Sequence, residues 1–362
     1  MWFHTGSDAQ TLTRRSEADA TRGEVESFLR RNPKGAVVGY LGFDAVGLFE
    51  PALRSFPSGS PFPLGELALV PTVATAPVVV RARRAVSPQD RGSPLEDSLP
   101  RPRYERSVRR LTEAIRAGEA FQVVLAHRRG WRRPSDLLSR AGILRASERY
   151  STFYYLRFGD RELVGATPES VAEVDGRTAF VDPIAGTLPR RHRAGRRPLG
   201  ADPKELCEHR MLVDLARNDL GRVARPGSVR LLWSERLVRY AHLDHLVSRV
   251  AGTLGPGITP WDVLASTFPA GTVSGAPKIR ATELLRREED SWRGPYAGAA
   301  VLLRPRRQAV FSLLIRSAFA AGARLYTAAG AGIVHRSTPA REFDETLAKL
   351  AVVESTLLGG AA

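Results

Sequence analysis

The sequence predicts an α+β fold of antiparallel sheets packed with surrounding helices, and three features predict it. Two tight hairpins are legible: residues 153–158 turn at Gly159-Asp160 into 162–165, and residues 170–174 turn at Asp175-Gly176 into 178–182. The second is a type I′ signal, because both central residues of such a turn need φ above zero. Apolar residues at helical spacing mark 104–117 (Val108, Leu111, Ile115), which stops at Gly118. Hairpins mixed with helices argue against a βαβ parallel sheet.

In chain order, Thr21 and Glu24 form a capping-box pattern that predicts a short helix over 21–31. Residues 36–40 and 78–84 read as strands, the first followed by Gly42-Phe43-Asp44. The stretch 85–102 is rich in Pro, Ser, Gly and Asp and reads as a linker or surface loop. This divides the chain into an N-terminal region, 1–100, and a main unit, 101–362. In the main unit a strand is expected at 121–125, then the two hairpins, then a Gly/Pro/Arg loop over 186–200. Helices are expected over 203–218, 260–267 and 276–288, and strands over 296–304, 309–319 and 323–328. Thr338-Pro339 is an N-cap and N1 pair opening a last helix, which stops at Gly359-Gly360.

A chain of 362 residues suits one large domain or two unequal ones. Its 43% hydrophobic and 25% charged content excludes a disordered or fibrous protein. No apolar run approaches the ~20 residues of a spanning helix. The N-terminus matches neither a signal nor a transit peptide, so a cytoplasmic protein is expected. Cys207 is the single cysteine, which excludes an internal disulfide framework and a cysteine-rich metal site. The net charge of +16 would ordinarily suggest nucleic acid. However, 50 of the 54 basic residues are arginine, a skew of the kind GC-rich coding produces. They are scattered and lack interleaved aromatics, so no base-stacking platform is visible. Steering of a small anionic substrate is the reading that remains.

The chemistry-bearing side chains fall in clusters. Glu205 and Glu208 lie three apart on one helix face, followed by His209. Glu342, Glu345 and Lys349 share a face of the last helix, opposite a core stripe of Phe343, Leu347 and Leu350. Such acid pairs occur on solvated helix faces with ion pairs. The other reading is two faces meeting around one hard cation, for which carboxylate oxygens suit Mg²⁺. Lys204, Lys278 and Lys349, three of only four lysines, sit in or beside clusters of this kind. Two small-residue stretches, 329–332 after a strand and 271–278 opening a helix, would let a backbone approach a ligand, although tight turns explain them equally. The second lacks the Walker spacing.

Taken together these segments resemble the chorismate-utilising enzymes, above all the large aminating subunit (component I) of anthranilate synthase. The residues that carry the likeness are Asp182-Pro-Ile-Ala-Gly-Thr-Leu-Pro-Arg190, the 204–223 segment KELCEHRMLVDLARNDLGRV, His245-Leu-Val-Ser248, the 268–278 segment FPAGTVSGAPK, Gly294-Pro-Tyr296, Ala329-Gly-Ala-Gly-Ile-Val334 and Glu345-Thr-Leu-Ala-Lys349. Gly39-Tyr-Leu-Gly-Phe-Asp44 resembles a weaker N-terminal element of that family. The resemblance implies the component I fold, with 101–362 as the chorismate-binding catalytic domain and a shortened N-terminal region. It implies Mg²⁺ held by Glu208 and Glu345, with Glu205 and Glu342 reaching the ion through water. Tyr296, Arg316, Gly330, Gly332 and Lys349 are implied to bind the substrate's carboxylates, with Ser274 and Ala185 also at the substrate. An arginine fork suits a carboxylate because it donates two parallel hydrogen bonds. Glu169 matches the general acid that protonates the departing C4 hydroxyl, a role that needs a raised pKa. Thr187 and His245 match positions beside the ring, with His245 placed to assist proton removal from C2.

Two positions discriminate within the family. Members that add water carry a lysine base where Gln122 stands, and members that aminate C4 typically carry a lysine nucleophile where Ala185 stands. Neither residue here can play those parts. The implied reaction is C2 amination of chorismate to aminodeoxyisochorismate, followed by pyruvate loss to give anthranilate. The alternatives are a synthase that stops at aminodeoxyisochorismate and an aminodeoxychorismate synthase component I. Either aromatic amino acid or antibiotic biosynthesis would be served. No glutaminase segment is present, so a separate glutamine amidotransferase is expected to supply ammonia. The family's tryptophan-binding Leu-Leu-Glu-Ser segment is absent, so little or no tryptophan inhibition is expected. No nucleic-acid or membrane partner is implied, and homo- or hetero-oligomers are left open.

Overall fold

The computed structural model describes residues 2–4, 9–12, 16–53, 59–73, 94–147, 152–189, 203–239, 243–289 and 291–359; within these, only the backbone is described for 2–4, 9–12, 16–20, 185–189, 203–205, 239 and 243–244. The alternating and all-apolar runs pair into two large sheets. The first orders its strands Trp2–His4, Thr152–Phe158, Arg161–Thr167, Ser317–Ala321, Arg324–Ile333, Gln122–Arg132 and Gly275–Ala276, with Glu96–Asp97 also beside Gln122–Arg132. The second runs Ile184–Pro189, Leu243–Thr253, Thr178–Val181, Ser170–Asp175, Gln308–Leu313, Ala299–Arg304, Ala36–Leu41, Gly65–Val70 and Ala9–Leu12, with Arg230–Arg239 also on Leu243–Thr253. Trp2–His4 pairs parallel to its neighbour; the long ladder of Arg324–Ile333 on Gln122–Arg132 is antiparallel.

The sheets share one core, in which Tyr40 meets Phe158 edge-on at 5.9 Å and Phe62 meets Phe319 at 6.4 Å. A second core lies between the first sheet and helices Arg101–Arg116, Lys278–Glu288 and Pro339–Glu354, with Tyr104, Leu125, Leu285, Ile333 and Phe343 buried there. Ala36–Leu41 is buried at every position because it is interior to the second sheet. Its Gly39 is required by close approach: a Cβ there would stand 1.9 Å from the Glu66 carbonyl oxygen. The N-terminal strands thus share a sheet with strands from the far end of the chain.

Both predicted hairpins form, but the second turn is not type I′: its central residues are Gly176 and Arg177, and only Gly176, at φ +60°, is left-handed. Several elements differ from the sequence reading. The first helix is Ser16–Arg31, so Thr21 lies inside it and is buried instead of capping it. The linker ends early: Glu96–Asp97 pairs with the first sheet and helix Arg101–Arg116 takes up the last two of its residues. The predicted 309–319 strand divides at 314–316 into strands of different sheets. Leu313, Leu314 and Ile315 carry the apolar run into that break, and periodicity does not report which sheet a residue joins. The loop read over 186–200 begins as the end of strand Ile184–Pro189. The 276–288 helix starts at Lys278, after Gly275–Ala276 joins the first sheet. Strands Arg230–Arg239 and Leu243–Thr253 and helix Leu137–Ser147 were not anticipated. The 78–84 strand and most of the linker lie outside the described residues. Among the described residues no helix is long and apolar enough to cross a membrane.

Candidate active site

Four segments converge at the end of strand Arg324–Ile333. Gly330 and Gly332 lie on that strand, opposite Ala126 and Val124. The missing side chains leave space that neighbours use. A Cβ on Gly332 would stand 2.5 Å from Gln122 Nε2, and one on Gly330 would stand 3.1 Å from the Tyr296 hydroxyl. Lys349, one turn beyond Glu345 on helix Pro339–Glu354, donates to the Gly330 carbonyl at 2.8 Å and pairs with Glu345 Oε1 at 2.8 Å.

Tyr296 is held from below by the N-terminal motif. Asp44 accepts hydrogen bonds from the amides of Arg293 (3.2 Å) and Gly294 (2.8 Å), and the Phe43 amide donates to the Gly294 carbonyl at 2.8 Å. Burial pushes the Asp44 carboxyl up to about 6, against the pull of those amides. Arg293 is buried against Glu289 at 2.7 Å and donates to the carbonyls of Val273 (2.8 Å) and Val124 (2.7 Å), which ties the loop to both neighbouring segments. Burial also raises the Tyr296 phenol, so it stays protonated. Ala297 and Arg316 both adopt left-handed backbone, φ 65° and 49°, which costs roughly 1–2 kcal/mol for a residue with a Cβ. Strain of this kind clusters where a side chain must be aimed.

Glu169 follows strand Arg161–Thr167. Its backbone is pinned by Thr167 Oγ1 at its amide (3.3 Å) and by the Leu313 amide at its carbonyl (3.0 Å). Its side chain is only partly accessible, and burial pushes the carboxyl up to about 7. The Thr272 hydroxyl donates to Glu169 Oε1 and opposes that rise, as do the positive charges of Arg316 and Lys349. Thr272 was not singled out in the sequence, although it lies in the 271–278 small-residue stretch. Ser274, from the same stretch, is fully buried and donates to the Ala270 carbonyl at 2.9 Å. Lys278 is buried in a pair with Asp219, 2.9 Å to each carboxylate oxygen. That lysine therefore joins two helices instead of facing the cleft.

A second group sits on the other sheet. His245, on strand Leu243–Thr253, is buried. The strand opposite it carries Ala185, paired with Leu246, and then slips register before Leu188. The backbone of Thr187 lies in that irregularity. Helix Pro203–Gly221 packs on the same strands, with Leu206 against Leu246. It carries Glu208, half-buried, and Glu205, whose side chain lies outside the described residues. Next to Glu208, His209 is fully buried, with Nε2 2.6 Å from Ser248 Oγ, and burial lowers its pKa. On the last helix Glu342 is half-buried and Glu345 is 50% exposed. Phe343 and Leu350 form the buried stripe, with Leu347 packed beside them. Among the described residues no three His, Cys, Asp or Glu side chains converge into a metal cluster. The donor type, carboxylates alone on two water-accessible helix faces, fits a hard cation that keeps several waters.

Two sheets thus share a core, and beside it one raised carboxyl, Glu169, feels the charges of an arginine and a lysine. Residues 3–355 match the chorismate binding enzyme family, and the chain belongs to it. It is 42% identical over 288 residues to anthranilate synthase component 1 of Streptomyces coelicolor, a match covering 76% of this chain and 56% of that protein. It is 38% identical to the namesake of Thermus thermophilus, covering 89% of this chain and 78% of the other. The chain thus spans little more than half the length of the first relative. The crystal structure of anthranilate synthase component I from Streptococcus pneumoniae superposes with a TM-score of 0.76 at 30% identity, over 89% of this chain and 80% of that one. The menaquinone-specific isochorismate synthase of Escherichia coli shares the fold alone, at 19% identity and a TM-score of 0.71, over 97% of this chain and 84% of the other.

Proposed function

We propose that this chain aminates chorismate at C2 with ammonia, giving aminodeoxyisochorismate and then anthranilate plus pyruvate. The observation that carries the reading is Glu169, a carboxyl raised to about 7 and faced by Arg316 and Lys349. A neutral acid at that pH can donate a proton in the transition state. Ammonia attacks C2, both ring double bonds shift by one position, the C4–oxygen bond breaks so that the hydroxyl leaves as water with the proton of Glu169, and the new ammonium group releases a proton to solvent. Arg316, Lys349 and the Tyr296 hydroxyl hold the substrate's carboxylates, and the bare backbone at Gly330 and Gly332 gives the ring room. In the second half-reaction His245 takes the C2 proton as the C3–oxygen bond breaks, and the departing enolate gains a proton at its methylene carbon to become pyruvate.

Glu208 and Glu345 would hold Mg²⁺, with Glu205 and Glu342 reaching it through water. When bound, Mg²⁺ would neutralise the C1 carboxylate. Gln122 and Ala185 supply neither the base for adding water nor a lysine nucleophile for C4 amination. The relatives' name, component 1, speaks for a second component, here a glutamine amidotransferase that delivers ammonia. The reaction would take place in the cytoplasm.

The test is product analysis by mass spectrometry, with the purified chain, chorismate, Mg²⁺ and high ammonium at alkaline pH. Anthranilate plus pyruvate is the expected result. Aminodeoxyisochorismate without pyruvate would remove the lyase step. No consumption of chorismate, even with an added amidotransferase, would overturn the reading.

A further inference from the structure

A cavity of about 240 Å³ opens between the first helix, the start of helix Pro260–Thr267 and the hairpin turn at 305–307. None of its lining residues belongs to the candidate active site. Its floor is apolar, built from Val25, Leu29, Trp261 and Leu303. Arg22 closes one end and is already neutralised, by Asp262 at 2.8 Å and Glu26 at 3.3 Å. The hairpin turn adds Arg304, Arg306 and Arg307 to the lining, and among the described residues none of these has an ion-pair partner. Arg306 and Arg307 both hold left-handed backbone, φ 60° and 61°, where turns ordinarily place Gly, Asn or Asp. Two adjacent arginines kept at positions that favour glycine implicate their side chains, because the turn alone would form more readily without them.

An apolar floor with unneutralised guanidinium forks at one edge suits a ligand with a flat apolar body and one carboxylate. We infer that this cavity is a second binding site, for a small aromatic monocarboxylate, independent of the chorismate cleft. The ring lies against Trp261 and Leu29, and the carboxylate meets Arg306 and Arg307. Behind the floor, Trp261 is held by the aromatic core: it meets Phe49 edge-on at 6.1 Å, and Phe49 meets Phe268 at 5.5 Å.

The experiment is calorimetric titration of the full chain with 3-phenylpropionate and with its neutral amide. The acid is expected to bind with Kd on the order of 1 mM or tighter, and the amide about tenfold more weakly. The double variant Arg306→Gly/Arg307→Gly should lose the acid's binding by at least about tenfold. Its unfolding midpoint should be equal or higher, because glycine is relaxed at these φ values. An Arg316→Ala variant should bind the acid as the parent does, which separates this site from the cleft and from the proposed reaction. Absence of binding to the parent, equal binding by the double variant, or loss of binding in Arg316→Ala would each overturn the proposal.

Discussion

The hydroxyl of Thr272 donates to Oε1 of Glu169, and that bond opposes the burial that lifts the carboxyl to about 7. A hydrogen bond to the charged form lowers a carboxyl's pKa, so removing the donor raises it. In Thr272→Val, a change of almost no volume, Glu169 should titrate above 7. As a general acid it must be protonated, so the alkaline limb of kcat/KM should move to higher pH, by up to about one unit. A limb that stays in place or moves toward acid would detach Thr272 from the acid, or Glu169 from the role.

The same carboxyl leaves a mark on stability that needs no substrate. Between its ordinary 4.5 and about 7, folded Glu169 keeps a proton that the unfolded chain has released. The native state binds more protons across that window, so stability falls as pH rises through it. The full cost, present above about pH 7, is on the order of 3 kcal/mol. Glu169→Gln keeps the shape without the ionisation. It should match the parent at pH 4, exceed it in unfolding midpoint at pH 8, and lose turnover by about 10²–10⁴-fold. Identical melting differences at both pH values would remove the titration from the account.

The hairpins, the last helix and its buried stripe were legible because each is a local pattern of turn chemistry or periodicity. Helix 260–267 was legible too, and Thr259 and Asp262 form its capping box. The break at 314–316 was not, since Leu313, Leu314 and Ile315 carry the apolar run up to Arg316 and only sheet membership distinguishes its halves. At the site, Glu169, Arg316 and Lys349 could be named from motifs, and the structure brings their charges together. Thr272 and Asp44 could not be given their parts, because each acts on a residue more than a hundred positions away, Glu169 and Gly294. Long-range partners of this kind leave no spacing to read.

Gln122 and Gly332 offer a coupled test. The amide of Gln122 fills the place where a side chain on Gly332 would stand, 2.5 Å from the Cβ position. The clashing atom ends a flexible side chain, so Gly332→Ala should cost on the order of 1 kcal/mol instead of unfolding the protein. In a Gln122→Ala background the cost should nearly vanish, a coupling of at least about 0.5 kcal/mol in a double-mutant cycle. Gly330→Ala should show no such rescue, because it meets Val124 Cγ1 at 2.9 Å and the Leu125 carbonyl at 3.3 Å. Denaturant titrations of the parent, the three single variants and the two double variants measure these terms, and additive effects at Gly332 and Gln122 would contradict the packing.

Glu345 separates a metal role from a structural one. Its carboxylate is half exposed and pairs with Lys349 at 2.8 Å. Exposed pairs contribute about 0–1 kcal/mol, so Glu345→Gln should barely move the unfolding midpoint. Lys349 also keeps its bond to the Gly330 carbonyl, which leaves that corner of the cleft intact. If Glu345 is a ligand of Mg²⁺, the variant removes a ligand charge but little volume. Mg²⁺-supported turnover should then be lost, and calorimetric Mg²⁺ affinity should fall by about 10–100-fold. Unchanged Mg²⁺ dependence at full activity would confine Glu345 to its pairing with Lys349, and the cation would have to be sought elsewhere among the carboxylates.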